Sequence, residues 1–99
     1  MPTTITYQEL SKITGQNHHI IDIRPSHEYA KYHIPNAINI PYDTLMMYPD
    51  TYLKKDQTYY LICAYGSLSH RACTILQSYG YHVANVKNGY EADTRYLYF

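Results

Sequence analysis

Residues 59–69 read YYLICAYGSLS, and the character of this stretch changes at Cys63. Residues 59–62 form the most apolar run in the second half of the chain and predict a buried strand. The Ala, Gly and Ser residues beyond Cys63 open a helical pattern, which places this cysteine at a strand-to-helix junction. Unpaired backbone N–H groups and the positive end of a helix dipole face such a position, and they favour the nucleophilic thiolate. On position alone, Cys63 can equally be a small apolar residue that closes the strand.

Apolar runs and helical patterns alternate along the whole chain. Strands are predicted at residues 19–23, 37–41, 59–62 and 82–86. Helices are predicted from the capping box of Thr6 and Glu9 to Gly15, at 25–31 and 43–47, beyond Cys63 as far as Gly80, and from Tyr90 onward. Continuous apolar strands separated by helices predict one α/β domain over residues 1–99, with a mostly parallel sheet covered by helices on both faces. In such a sheet the reactive site lies beyond the carboxyl ends of the strands.

Composition and charge exclude several classes of partner. Lys plus Arg and Asp plus Glu each number 8, so the formal net charge is zero, and neither a nucleic acid nor a membrane is expected as a partner. No signal peptide is apparent and there are only two cysteines, which together predict a reducing, cytoplasmic setting. The 14 tyrosines are expected to pack at the edge of the core, because a base-stacking surface would need interleaved Arg and Lys.

Three sequence motifs, in this order, resemble those of the rhodanese-like (sulfurtransferase) domain family. They are the segment IDIR at residues 21–24 followed by Glu28-Tyr29, the run HIPNAINIP at residues 33–41, and the loop CAYG at residues 63–66. The resemblance implies that Cys63 is the catalytic residue, which accepts a sulfane sulfur as a persulfide and passes it to a nucleophile. It also implies that the loop after the cysteine binds the substrate; the predicted binding residues are Ala64, Tyr65, Gly66, Ser67, Leu68, Ser69 and Arg71. No cofactor and no metal are expected.

The chain departs from the family pattern inside this loop. Active members typically have an arginine five positions after the cysteine, where this chain has Leu68. A dianion such as thiosulfate then lacks a charged partner, so poor activity with thiosulfate is predicted. Arg71 lies one helical turn further on, where it can either reach back toward the loop or be a solvated surface residue, and we favour the solvated position. Asn36 and Asn88 stand where the family often has glycine, and asparagine tolerates left-handed backbone better than most residues.

A second set of polar residues follows the first predicted strand. Asp22, Arg24, Glu28 and His33 are predicted to form an ion-pair and hydrogen-bond network with a structural role. The pair His18-His19 lacks metal-ligand spacing relative to the two cysteines, so no metal site is predicted. Cys73, which falls within the helix after Cys63, is expected to be a buried packing residue.

Two functional hypotheses remain open. The first is a sulfurtransferase that takes sulfur from small donors or from a protein persulfide and passes it to a thiol or a cyanide-type acceptor. The second is a binding or regulatory module that keeps the fold without turnover, for which Leu68 and the many tyrosines are the arguments. A phosphatase on a similar fold would need Arg where the chain has Ser69, so this reading is discarded. The sequence does not predict an oligomeric state.

Overall fold

A computed structural model describes residues 3–13 and 19–91. Its strands are β1 (Thr3–Ile5), β2 (His19–Asp22), β3 (Ile38–Asn39), β4 (Thr58–Ile62) and β5 (His82–Val86). Its helices are α1 (Tyr7–Ile13), α2 (Ser26–Lys31), α3 (Tyr42–Met47), α4 (Pro49–Tyr52) and α5 (Ser67–Ser78), with a single 3-10 turn at Gly89–Glu91. Gly15, His18 and the predicted C-terminal helix beyond Glu91 lie outside the described residues.

The five described strands form one sheet in the order β1-β5-β4-β2-β3, and every neighbouring pair is parallel. The central strand β4 aligns Ile62 with Asp22 on one side and Leu61 with Asn85 on the other. Because the strands are parallel, the segments that follow β2, β4 and β5 meet at one edge of the sheet. Cys63 lies at the centre of that edge.

Apolar side chains cover both faces of the sheet. On one face, Leu45 of α3 and Leu76 of α5 pack against a cluster that includes Leu61 and Cys63. On the other face, Leu10 of α1 packs with Ile62 in a second cluster. The predicted α/β class, the parallel sheet and the helices on both faces are therefore confirmed. None of the described helices has the length and apolar character needed to cross a membrane.

Local sequence signals predicted most of these elements. The capping box is present, because the Thr6 amide donates to Glu9 Oε1 at 3.0 Å and the Glu9 amide donates to Thr6 Oγ1 at 3.0 Å. Asn36 and Asn88 have φ angles of 72° and 61°, which is the left-handed backbone expected at these positions. Strand β1 and helix α4 were not predicted, and β3 is shorter than the predicted 37–41.

The tyrosines are divided between core and surface. Tyr7, Tyr59 and Tyr90 are buried, at 3%, 6% and 3% exposure. By contrast, Tyr65 is 70% exposed and Tyr79 is 57% exposed. Packing at the edge of the core therefore accounts for only part of the tyrosine content.

Candidate active site

Cys63 is the first residue after β4, and two backbone amides are directed at its sulfur. The amide of Gly66 donates to Cys63 Sγ at 3.2 Å and the amide of Ser69 donates at 3.3 Å. Cys63 is a free cysteine and is 4% exposed. Convergent backbone N–H groups at a helix start bind anions, so the arrangement suits a sulfur atom that carries negative charge.

Gly66 makes this turn possible. It has φ of 92° and immediately precedes α5, so the loop reverses through left-handed backbone before the helix begins. A Cβ atom at this position would lie 2.7 Å from the Asn88 amide nitrogen. Both the backbone conformation and the close approach of the loop after β5 therefore require glycine here.

Ser69 contributes a side chain as well as its amide. Its buried Oγ lies 3.5 Å from Cys63 Sγ and 3.1 Å from the Gly66 carbonyl oxygen, and it also hydrogen-bonds Asn85 Oδ1. Asn85 is on β5 and is 4% exposed. The sequence placed Ser69 in the predicted binding loop but did not indicate Asn85, because a contact across 16 residues leaves no local signal.

The 3-10 turn after β5 fixes the backbone on the other side of the cysteine. The Tyr90 amide donates to the Cys63 carbonyl oxygen at 3.0 Å, and the Glu91 amide donates to the Ala64 carbonyl oxygen at 2.9 Å. Gly89 has φ of 53°, and a Cβ atom there would overlap the Cys63 carbonyl oxygen. The pair Asn88-Gly89 is a turn signal, but nothing in the sequence indicates that this turn holds Cys63.

Tyr90 also joins Cys63 to the buried ion pair at the end of β2. Arg24 Nη2 lies 2.8 Å from Asp22 Oδ2, and both side chains are buried. The Tyr90 hydroxyl donates to Asp22 Oδ2 at 3.0 Å, while the Arg24 guanidinium carbon lies 3.9 Å from the centre of the Tyr90 ring. Burial, and then the Asp22 charge, raise the pKa of Tyr90, so its phenol stays neutral and remains a donor.

The predicted four-residue network is smaller than expected. Arg24 Nη2 donates to Asp22 Oδ2 at 2.8 Å and to the Tyr32 carbonyl oxygen at 2.7 Å. The Glu28 side chain is 38% exposed and lies 4.0 Å from His27. His33 stacks on the Tyr29 ring at 3.7 Å. His33 Nδ1 is also hydrogen-bonded to the Tyr29 carbonyl oxygen at 2.8 Å, so the contacts described for Glu28 and His33 are with α2 and not with Asp22 or Arg24. Their structural role stays a prediction.

The remaining residues of the predicted loop differ in position. Ala64 is half-buried, while Tyr65, Ser67 and Arg71 are exposed. Leu68 is half-buried and packs against the core cluster on the α5 face. Within the described part of the chain, the backbone donors to Cys63 Sγ are the amides of Gly66 and Ser69. The role of the loop in substrate binding stays a prediction.

Cys73 lies on α5 and is fully buried in the same core cluster as Cys63. Burial, followed by the proximity of Cys63, raises the pKa of the Cys73 thiol to about 12. Among residues 3–13 and 19–91, no group of three or more His, Cys, Asp or Glu side chains is placed to hold a metal ion.

The sequence model of one protein family, the Rhodanese-like domain, matches residues 6–95. The chain belongs to this family. The arrangement around Cys63 is thus found in a rhodanese-like domain, and the resemblance carried by the three motifs is confirmed.

Solved structures share both the fold and much of the length of this rhodanese-like domain. A rhodanese-like domain protein from Staphylococcus aureus superposes with a TM-score of 0.80 at 34% identity, covering 91% of this chain and 89% of that one. A rhodanese-related protein from Thermoplasma volcanium superposes with a TM-score of 0.86 at 27% identity, covering 98% and 95%.

Curated relatives are longer proteins. Protein HIGH ARSENIC CONTENT 1, mitochondrial, from Arabidopsis thaliana is 37% identical over an 87-position alignment that covers 76% of this chain and 52% of that protein. The adenylyltransferase and sulfurtransferase UBA4 of Yarrowia lipolytica is 32% identical over 86 residues, which are 86% of this chain and 22% of that protein. The chain therefore spans about half the length of the first relative and about a fifth of the second.

Proposed function

We propose that the protein is a sulfurtransferase that carries a sulfane sulfur as a persulfide on Cys63. The observation that carries this proposal is the pair of amides, from Gly66 and Ser69, directed at Cys63 Sγ at 3.2 and 3.3 Å. These donors stabilise negative charge on Sγ before the sulfur is loaded and again when it leaves. The sulfurtransferase activity named for the UBA4 relative supports the same reaction class.

The reaction proceeds in two displacements through a covalent intermediate. The Cys63 thiolate attacks the outer sulfur of a persulfide donor, so a bond forms between Sγ and that sulfur while the donor's sulfur–sulfur bond breaks. The departing thiolate takes up the proton of the donor persulfide. An acceptor thiolate or cyanide then attacks the outer sulfur on Cys63, and the electron pair of the breaking bond returns to Sγ. No external oxidant or reductant is needed.

The surroundings of the loop favour an uncharged or protein-bound persulfide donor over thiosulfate. Leu68 packs against the same core cluster as the half-buried Tyr42 and Met46. Arg71 is exposed on α5. Among residues 3–13 and 19–91, a dianionic donor therefore finds backbone amides but no buried side-chain cation at the loop. Free thiols at Cys63 and Cys73 suit a reducing compartment such as the cytoplasm.

Intact-protein mass spectrometry tests this function directly. After incubation with glutathione persulfide and removal of the donor, the wild type is expected to gain the mass of one sulfur atom. Peptide mapping should then locate this sulfur on the peptide that contains Cys63. Cys63→Ser should gain none, whereas the matched Cys73→Ser variant should load normally. Loading of Cys63→Ser at the wild-type level would overturn the proposal.

A binding module without turnover is the second candidate. Two features support it. Cys63 is only 4% exposed, and large side chains such as Met47 and Tyr65 are strongly exposed, at 67% and 70%. A folded wild type that never gains sulfur from the persulfide donor would favour this candidate.

A further inference from the structure

The Ser69 hydroxyl lies among three groups that can accept its single hydrogen. These are Cys63 Sγ at 3.5 Å, the Gly66 carbonyl oxygen at 3.1 Å and Asn85 Oδ1. A serine hydroxyl donates one hydrogen bond, so it can donate to only one of the three groups at a time. The charge of the Cys63 sulfur determines which of the three groups accepts this hydrogen bond.

With Cys63 as a thiol, the contacts form a consistent chain. The Cys63 S–H donates to Ser69 Oγ, and the Ser69 O–H donates to Asn85 Oδ1. With Cys63 as an anion there is no S–H, and the sulfur becomes a charged acceptor. A hydrogen bond to a charged group is stronger than one between neutral groups, so rotation of the hydroxyl towards sulfur is then favoured.

We propose that Ser69 supplies a third hydrogen bond to the anionic sulfur of Cys63 and that Asn85 is a positioning residue that holds the Ser69 hydroxyl in the thiol state. This inference rests on the proposed function and deepens it, because it names the side chain that responds when Cys63 becomes the attacking thiolate. Ser69 touches the reacting atom, whereas Asn85 acts through Ser69.

Asn85 is the acceptor that determines the cost of this rotation. The Gly66 carbonyl oxygen keeps another donor, since the His70 amide lies 3.0 Å away. Asn85 Oδ1 loses its Ser69 partner when the hydroxyl turns, and Asn85 is only 4% exposed. Replacing Asn85 by an apolar residue removes this competing acceptor and should make the anion easier to form.

The rate of Cys63 alkylation by iodoacetamide, measured from pH 5 to 10 by peptide mass spectrometry, tests the arrangement in the full chain. Ser69→Ala should move the midpoint of the rate-against-pH curve upward by about one pH unit, through loss of a charge-assisted hydrogen bond. Asn85→Val should move it downward. The matched control Ser78→Ala changes an exposed serine at the opposite end of α5 and should leave the curve in place.

The opposite signs separate this role from a merely structural one. A structural defect at either residue would loosen the loop and move both curves upward. A Ser69→Ala curve that superimposes on the wild type, or an Asn85→Val curve that moves upward, would overturn the proposal. If Ser69→Ala does not fold, the sign of the Asn85→Val shift still tests the proposal by itself. Alkylation needs no sulfur donor, so shifts of the expected signs in a protein that fails to load sulfur would count against the proposed function alone.

Discussion

Cys63 and Cys73 are buried free thiols on the same face of the sheet, but their surroundings differ in the donors that reach the sulfur. Cys63 Sγ receives the amides of Gly66 and Ser69 because it precedes the first turn of α5. Cys73 lies in the middle of α5, where the backbone amides are already paired along the helix. Its surroundings are apolar, and burial raises the pKa of its thiol to about 12.

This difference shows that burial alone does not determine the chemistry of a cysteine. The exposed fractions are 4% for Cys63 and 0% for Cys73, too close to separate the proposed nucleophile from a packing residue. The direction of neighbouring N–H groups separates them, because a thiolate needs hydrogen-bond donors once water is excluded. The predictions that follow test this contrast.

The largest expected effect is on alkylation of the native protein. With its pKa raised to about 12, Cys73 should hold roughly a thousandfold less thiolate near neutral pH than an ordinary thiol with a pKa of about 8.5. Iodoacetamide at pH 7 should therefore modify Cys63 and leave Cys73 intact, as peptide mass spectrometry would show. In guanidinium chloride both cysteines should react at similar rates. Native labelling of Cys73 as fast as that of Cys63 would remove the contrast.

The next largest effect is expected from substitution of Gly89, whose Cα lies close to the Cys63 carbonyl group. Gly89→Ala places a Cβ atom against the Cys63 carbonyl and forces a left-handed alanine, so it should lower the free energy of unfolding by about 3 kcal/mol or more and slow alkylation of Cys63. Gly80→Ala is the matched control, because Gly80 also has positive φ, 96°, but its Cβ would meet only the flexible Lys55 side chain at 3.6 Å. It should cost about 1 to 2 kcal/mol and leave alkylation unchanged. Equal effects of the two substitutions on alkylation would show that contact with Cys63 is not what Gly89 provides.

Local patterns predicted the position of Cys63 but not what surrounds it. The end of β4, the start of α5 and strand β5 follow from apolar runs and helix signals within a few residues. Tyr90 reaches Asp22 across 68 residues and Ser69 reaches Asn85 across 16, and neither pairing leaves a periodic trace in the sequence. Strand β1 was missed because Thr3–Ile5 is short and mostly exposed, and forms only by pairing with β5.

A third prediction introduces a cation beside Cys63. Leu68→Arg should raise sulfur transfer from thiosulfate to cyanide by roughly tenfold to a hundredfold, since a charge-assisted hydrogen bond to the dianion contributes on the order of 1.5–3 kcal/mol. Transfer from glutathione persulfide should change much less. Leu68→Gln is the control, because it loses the same packing against the core without adding charge. If Leu68→Gln and Leu68→Arg behave alike with thiosulfate, the missing cation is not the limitation.

The smallest expected effect is on stability at alkaline pH, and it originates at Cys73. The folded-state pKa of about 12 lies above that of an unfolded thiol, about 8.5, so between these values the folded chain holds a proton that the unfolded chain has released. The free energy of unfolding should therefore fall as pH rises above about 8.5, by up to about 1.4 kcal/mol per pH unit. Cys73→Val keeps an apolar side chain of similar size without a titrating group, so its stability should change less between pH 8.5 and 10 in guanidinium chloride titrations. Above pH 10 both proteins should lose stability, because burial also raises the pKa values of Tyr7 and Tyr90. An unchanged slope in Cys73→Val would mean that Cys73 is not held neutral by its surroundings, and the contrast with Cys63 would then rest on the amide donors alone.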